Sequence, residues 1–441
     1  MYLEDKVKLK ITILFLINPR PKMKKRQFLR YMGSAAMAAP LFPITLDNTK
    51  IAATPYPDKD SEAFWERIRE DYKLKPDYIN LESGYYNIIP TPILNKYTEH
   101  IQHVNYEGSY YMRTVQWENK KKAAARVAEL VNCSEKELVI TRNTTESLDM
   151  IIGGYPWQKG DEAVFAVQDY GAMQVHFHQM EDRYGIVCKK VSLPNHPESD
   201  EEIVSLYESQ ITPKTKMLMI CHMVNVTGQI LPVRKICDMA HSHGVEVMVD
   251  GAHCVGHIKV DLAELDCDYY GCSLHKWLCA PLGAGMLYVA EKNIPKIWPL
   301  LAEHENDKTK IRRLNHTGTH PVHTDLTIND SVDYLEMIGM ERKENRMRYL
   351  QRYWSDQLRE VDNVVINTPI EPYRSCGIAN VGLKNMKPAD MAKTLLEEFN
   401  VWTVAIDFEN VHGCRITPNV FTTTEELDQF VDAVKTMAKR T

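Results

Sequence analysis

The sequence predicts an α/β protein: a mostly parallel sheet covered by helices on both faces, followed by a smaller C-terminal α+β unit. Two observations carry this. From about residue 137 to 289, short β-rich runs alternate with helical stretches, the rhythm of parallel strands joined by crossover helices. Beyond about residue 325 the rhythm changes to a long polar helix, short strands and helices, a block large enough for a second domain. The composition agrees, since 44% hydrophobic and 25% charged residues over 441 positions suit a soluble globular chain of two domains.

The expected strands of the sheet are Glu137–Thr141, Glu162–Val167, Met217–Cys221, Val245–Val249, Asp268–Ser273 and Gly285–Val289. Helices are expected at Lys120–Val131, Thr145–Gly153, Tyr170–Tyr184 and Val233–His243, with a short amphipathic helix, Glu62–Tyr72, ahead of them. The second unit is expected to contain helix Leu326–Leu358, strands Val364–Asn367 and Gly377–Gly382, helix Pro388–Phe399, strands Trp402–Ile406 and Cys414–Thr417, and helix Thr424–Met437. The expected organisation is therefore an extension over 1–50, a large domain over 60–320 and a small domain over 321–441, with 60–80 able to pack on the small domain.

The amino-terminal region reads as a leader. Met23–Pro43 has a basic start, a weakly apolar stretch and small residues, the build of an export signal. Lys25-Arg26-Gln27-Phe28-Leu29 is similar to a twin-arginine signature with Lys25 in the first position, so export is expected, with a cytoplasmic location as the alternative. The apolar run Ile11–Ile17 is far shorter than the roughly 20 residues a membrane span requires. The net charge of −6, with no basic block beyond the first thirty residues, argues against a nucleic-acid partner. The ten cysteines are scattered without a Cys-x-x-Cys pair and mostly lie in apolar runs, so neither a disulfide framework nor a zinc site is expected.

The chemistry concentrates in residues 245–277. Asp250 ends one strand and Lys276 follows the next by a few residues. A right-handed crossover brings both to the carboxyl edge of the sheet, where ligands bind in open α/β folds. A surface salt bridge is one reading of such a pair. The other is pyridoxal 5′-phosphate, which needs a lysine for its Schiff base and an acid to keep the ring nitrogen protonated. Asn143 is a plausible N-cap with Glu146 as its capping-box partner. The helix start beyond it, with the Thr144 and Thr145 hydroxyls, suits a phosphate, and Ser273 and His275 add further donors before Lys276.

Five segments together carry a resemblance: TRNTTESL (141–148), DYGAMQ (169–174), HMVNVTGQILPV (222–233), VDGAHCVGHIKVDL (249–262) and GCSLHKWLCAPLGAGMLYV (271–289). They resemble the class V aminotransferase family, and within it the branch like isopenicillin N epimerase. The resemblance runs from about residue 80 to the C-terminus and implies the fold type I architecture, with a seven-stranded large-domain sheet. It also implies that Lys276 carries the cofactor and shuttles protons, that Asp250 pairs with the pyridinium nitrogen and that His253 lies beside the ring. Tyr170 would stack on the cofactor face and Asn225 would reach its 3′-oxygen. Thr144, Thr145, Ser273 and His275 would hold the phosphate. Thr319 would reach the phosphate of the other subunit of a homodimer, and Arg415 would grip a substrate carboxylate. For the last, a planar bidentate donor is the fitting group. Packing or surface roles remain the competing readings for Tyr170, Asn225, His253 and Arg415.

Close relatives often carry an arginine where this chain has His320, so a different substrate pocket is expected. The pairs His176/His178 and His241/His243 and the trio His316, His320 and His323 show no His-Glu-x-x-His pattern or carboxylate at ligand spacing, so no metal is expected. Cys376 and Cys414 are read as lying inside strands, which disfavours a cysteine desulfurase. The resulting expectation is a class V aminotransferase acting on a small amino acid or amine, with an epimerase or β-elimination lyase of the same fold as the alternative. A non-catalytic exported binding protein and a metal-dependent hydrolase are the readings from other classes.

Overall fold

A computed structural model describes residues 61–440 apart from residue 304. The export-signal segment, Met23–Pro43, lies outside the described residues. Thirteen strands organise the fold among the described residues. In chain order they are β1 (Ile79–Asn80), β2 (Leu138–Thr141), β3 (Glu162–Ala166), β4 (Val187–Val191), β5 (Thr215–Cys221), β6 (Glu246–Asp250), β7 (Tyr269–Ser273), β8 (Gly285–Val289), β9 (Val364–Ile366), β10 (Ala379–Leu383), β11 (Val401–Trp402), β12 (Val404–Phe408) and β13 (Val411–Ile416).

The large sheet has seven strands in the order β2-β8-β7-β6-β5-β3-β4, and only β8 runs against the others. Its strands are apolar on both faces for a simple reason. Leu218 and Ile220 of β5, Val164 and Ala166 of β3, and Val247 and Val249 of β6 enter one core. Their alternating neighbours Met217, Met219, Ala163, Phe165 and Met248 enter a second core on the opposite face. Successive side chains of a strand point to opposite faces, so a strand buried on both reads as a continuous apolar run.

All six strands read from the sequence are present, with ends shifted by at most two residues. The seventh, β4, has no such run: it is the edge strand, largely exposed, and carries Lys189 and Lys190. Lysine on an edge strand discourages pairing with another chain, and it also hides the strand from pattern reading.

A second sheet, antiparallel in the order β12-β13-β10-β9, closes over a third core built with helices Pro388–Phe399 and Thr424–Arg440. The long helix expected over 326–358 is two helices, Val322–Ile338 and Met340–Ser355, broken at Gly339, whose φ of 93° no continuous helix can hold. The single strand expected over 402–406 divides at Thr403 into β11 and β12. β1 pairs in parallel with β11, which ties the chain at 79–80 to the second sheet. Helix Glu62–Arg69, by contrast, places Phe64, Trp65 and Ile68 in the first core of the large sheet.

Candidate active site

The carboxyl ends of β2, β3, β5, β6 and β7 converge on one edge of the large sheet, around a cavity of about 310 Å³. Each strand contributes residues just past its end. Thr144 and Thr145 come from the turn after β2, Tyr170 from that after β3, and Asn225 from that after β5. Asp250 and His253 come from the end of β6, and Ser273, His275 and Lys276 from the end of β7. Arg415 reaches the same cavity from β13 of the second sheet. Thr319 does not line it and is exposed.

Lys276 is enclosed at the bottom of this arrangement, and burial lowers its pKa below that of an ordinary lysine; the nearby Asp250 carboxylate opposes the shift, and Arg415 adds to it. Its Nζ lies 3.1 Å from His253 Nε2. On the other side of that ring, the Trp277 indole N–H donates to His253 Nδ1 at 3.2 Å. An indole nitrogen can only donate, so Nδ1 accepts. Burial, reinforced by the Lys276 and Arg415 charges, holds His253 well below its usual range and therefore neutral. An accepting Nδ1 leaves the proton of the neutral ring on Nε2, the nitrogen that faces Lys276 Nζ.

Trp277 is itself held by His257, which stacks on it with centroids 3.8 Å apart. The Gly377 amide donates to His257 Nε2 at 2.8 Å, so His257 Nδ1 donates to the His253 carbonyl oxygen at 2.9 Å. Asp250, 5% exposed, is raised above the usual carboxylate range by burial, while the Ala252 amide at 2.9 Å and the Lys276 charge pull it back. It is a buried acid with more to gain from a cationic partner than from water.

The opposite end of the cavity is the start of helix Thr144–Gly154. Asn143 caps it by accepting from the Glu146 amide at 2.8 Å. The expected reciprocal half of a capping box is displaced by one residue. Glu146 Oε2 accepts instead from the Arg142 amide at 2.6 Å and the Arg142 side chain at 3.0 Å. This leaves the Arg142 guanidinium, about half exposed, beside the cavity. Ser273 Oγ lies 3.0 Å from the Thr144 amide and 2.7 Å from its Oγ1, so β7 and this helix start are joined at the mouth of the anion site. The helix start, two threonines, Ser273 and Arg142 together form a cradle for a phosphate.

Two features of the site escaped the sequence reading. One is the role of Gly228, which closes the turn carrying the expected Asn225: at φ 76° a Cβ there would come within 1.9 Å of the Ile378 carbonyl oxygen, so only glycine fits. The other is Glu82. Arg415 forms a two-pronged pair with it, Nη2 to Oε1 at 2.7 Å and Nε to Oε2 at 3.2 Å, while Nη1 reaches the Asn225 carbonyl oxygen at 3.3 Å. Glu82 precedes the first large-sheet strand by more than fifty residues, and no motif marks it.

The histidine and cysteine expectations need correcting in detail. His178 does have a carboxylate one helical turn away: Glu181 Oε2 lies 3.0 Å from its Nδ1, and these groups with Cys188 place ligand atoms within 4.8 Å of one another. His176, His241 and His320 pair with Asp149, Asp268 and Asp325. Cys376 lies in the bend before β10 rather than in a strand, because Ser375–Ile378 turns over His257. It is fully buried all the same, as is Cys414 in β13, and burial pushes both thiols up to about 12.

Pyridoxal phosphate fits the residues present. The cavity offers a lysine whose pKa burial lowers, a buried acid at a neighbouring strand end and a helix-start cradle, all lining one space.

The comparisons with known proteins agree with this fold. The family model for Aminotransferase class-V matches residues 88–429. The chain is 26% identical over 393 residues to isopenicillin N epimerase of Streptomyces clavuligerus, covering 84% of this chain and 98% of that one. It is 29% identical over 338 residues to a cysteine desulfurase of Haloferax volcanii, covering 70% and 76%. Among solved structures it resembles the apo cysteine desulfurase of Thermococcus onnurineus NA1, with a TM-score of 0.75 at 20% identity over 85% of this chain and 98% of that one. It also resembles the cystine C–S lyase C-DES in complex with cysteine persulfide, with a TM-score of 0.74 at 19% identity over 81% and 97%. A match of that extent on this fold and this cavity has one meaning: the chain belongs to the class V aminotransferase family of pyridoxal-phosphate-dependent enzymes.

Proposed function

We propose that the protein binds pyridoxal phosphate covalently through Lys276 and acts on a small amino compound, with transamination as the preferred reaction. The observation that carries this is Lys276, its pKa lowered by burial and its Nζ 3.1 Å from His253 Nε2, in the cavity that also contains Asp250 and the Thr144–Ser273 cradle. When bound, the cofactor supplies an electron sink that stabilises a carbanion next to the substrate nitrogen.

The chain's own residues do the rest. Asp250 keeps a positive charge on the ring nitrogen by offering a buried carboxylate. Thr144, Thr145, Ser273, His275 and Arg142 orient the phosphate, and Tyr170, half exposed at the cavity, offers a ring face. Once released, the Lys276 amine holds or moves the proton at the reacting carbon. His253 sets its position.

Epimerisation and elimination share these steps, and the printed names of the relatives span both isopenicillin N epimerase and cysteine desulfurase. Sulfur transfer through a cysteine is less favoured. Among the described residues no cysteine is exposed, and the one lining the cavity, Cys221, has its thiol pushed well up by burial.

A homodimer with shared sites is part of the proposal. Tyr106, Tyr110 and Trp117 are each more than half exposed on adjacent helices, as are Tyr85 and Leu282 at the cavity, an apolar surface suited to a second copy. The exposed Thr319 is then available to a neighbouring subunit. Export through the Met23–Pro43 segment completes the reading, and N-terminal sequencing of periplasmic protein checks it: a chain that keeps that segment would count against export.

The direct test is the visible spectrum of the purified protein after incubation with pyridoxal phosphate, with borohydride reduction and peptide mass spectrometry to locate the adduct. The expected result is a visible absorption band that stays with the protein after free cofactor is removed, and a pyridoxyl mass on Lys276. No band and no adduct would overturn the proposal. Lys276→Ala is expected to abolish both.

A further inference from the structure

The Glu82–Arg415 pair bears on which amino compounds the cavity accepts, an inference that rests on reading that cavity as the pyridoxal-phosphate site. The edge of a guanidinium that grips a carboxylate with two parallel bonds is, in Arg415, already engaged by Glu82 through Nε and Nη2. Nη1 donates to the Asn225 carbonyl oxygen. The positive charge of Arg415 is thus balanced from within the protein.

Glu82 is not free to withdraw. Its Oε1 also accepts from the Tyr85 amide at 2.8 Å. Its backbone is clamped on both sides: Leu81 N donates to the Trp402 carbonyl oxygen, Thr417 N donates to the Leu81 carbonyl oxygen, and Ser83 N donates to Thr417 Oγ1 at 2.6 Å. The two side chains of the pair, Arg415 and Glu82, are only 7% and 6% exposed. Gly84 completes the fit, since a Cβ there would lie 3.1 Å from Arg415 Cζ, so the absent side chain lets this turn close against the guanidinium.

A substrate carboxylate therefore faces two unfavourable choices. It can expel Glu82 and leave a buried carboxylate without its cation, or it can join Glu82 as a second anion on one guanidinium. A neutral acceptor faces neither, because it needs only one of the remaining Arg415 N–H groups. We propose that Glu82 neutralises Arg415 and that the cavity consequently selects amines whose adjacent group is an uncharged hydrogen-bond acceptor, such as an amide, ester or hydroxyl, over free α-amino acids.

The test uses the cofactor-loaded protein and matched pairs of probes, L-alaninamide against L-alanine and serinol against L-serine, with apparent Kd read from the spectral shift of the bound cofactor. The uncharged member of each pair is expected to bind at least about tenfold more tightly, since displacing one partner of a buried ion pair is costly. Glu82→Gln keeps the shape and removes the charge, and should tighten L-alanine by about tenfold or more with little effect on L-alaninamide. Calorimetric titration of propionate into the cofactor-free protein gives a second readout: binding is expected for Glu82→Gln and not for the wild type. Wild-type protein that binds the amino acids as tightly as their neutral partners would overturn the proposal, and so would propionate binding of equal strength with and without the Glu82 carboxylate. Should Glu82→Gln fail to fold, the wild-type pairs decide alone. Failure of the cofactor reading is seen separately, as absence of the bound-cofactor band, and the propionate titration still judges the pair.

Discussion

His253 Nε2 and Lys276 Nζ stand 3.1 Å apart, and the histidine is the donor of that pair because Trp277 occupies its other nitrogen. Burial lowers the pKa of this lysine, which favours its neutral amine over the ammonium relative to a lysine in water. The arrangement lies in three side chains, His253, Lys276 and Trp277, from two strand ends.

The first prediction concerns Trp277. Replacing it by Phe keeps the stack on His257 and removes the indole N–H, so His253 is free to take the other tautomer. The rate of cofactor attachment should fall about fivefold, the worth of one neutral hydrogen bond of about 1 kcal/mol. Far-ultraviolet circular dichroism should not change. An attachment rate equal to that of the wild type would show that Trp277 merely packs.

Lys276 titrates below the ordinary lysine range because burial disfavours its charged form. Attachment requires the neutral amine, so the rate trapped by borohydride should rise with pH and level off below the pKa of about 10.4 of a free lysine. A profile still climbing through a pH of about 10 would contradict the burial of this amine.

Acid should weaken the fold. Burial holds His222 and His275 down at about 4 and His257 at about 3. In the unfolded chain these rings titrate near about 6.5. Between those values the unfolded state binds protons that the folded state refuses, so the histidine contribution is complete above about 6.5 and is lost as pH falls toward 4. Asp169, which burial pushes up to about 7, acts in the opposite sense, its contribution fading as pH rises through 7. Three histidines outweigh one acid, and each should cost about 2 kcal/mol at pH 5. Urea midpoints at pH 7 and pH 5 check the sign; a midpoint that increases on acidification would refute it.

Ser273 joins β7 to the phosphate cradle. Ser273→Ala leaves the buried Thr144 amide and hydroxyl without their partner, which should destabilise the cofactor-free protein by about 1–3 kcal/mol. Chemical denaturation reads that loss directly. Equilibrium dialysis should also show weaker cofactor binding, because the helix start is no longer fixed against β7.

Much of this was visible in the chain itself. The apolar runs of β3, β5, β6 and β8 announce a sheet buried on both faces, and the DGAH and SLHKW segments mark Asp250, His253 and Lys276, because backbone pairing and cofactor chemistry are written locally. Relationships between distant segments lie beyond any local pattern. β4 is an edge strand whose lysines mask it, and Gly339 breaks a helix that periodicity alone would continue. The protonation of His253 depends on which nitrogen Trp277 happens to face.

The pairing of Glu82 with Arg415 spans 333 positions and arises only because β1 joins β11 while the chain just beyond β1 bridges to Thr417. The sequence by itself marked most of the sheet, the lysine proposed to hold the cofactor and the family to which the chain belongs, since each depends on short-range pattern. Only the tertiary structure decided the charge state of the groups around that lysine, because burial and partner geometry, the two quantities that set a pKa or neutralise a guanidinium, exist only once distant segments have met.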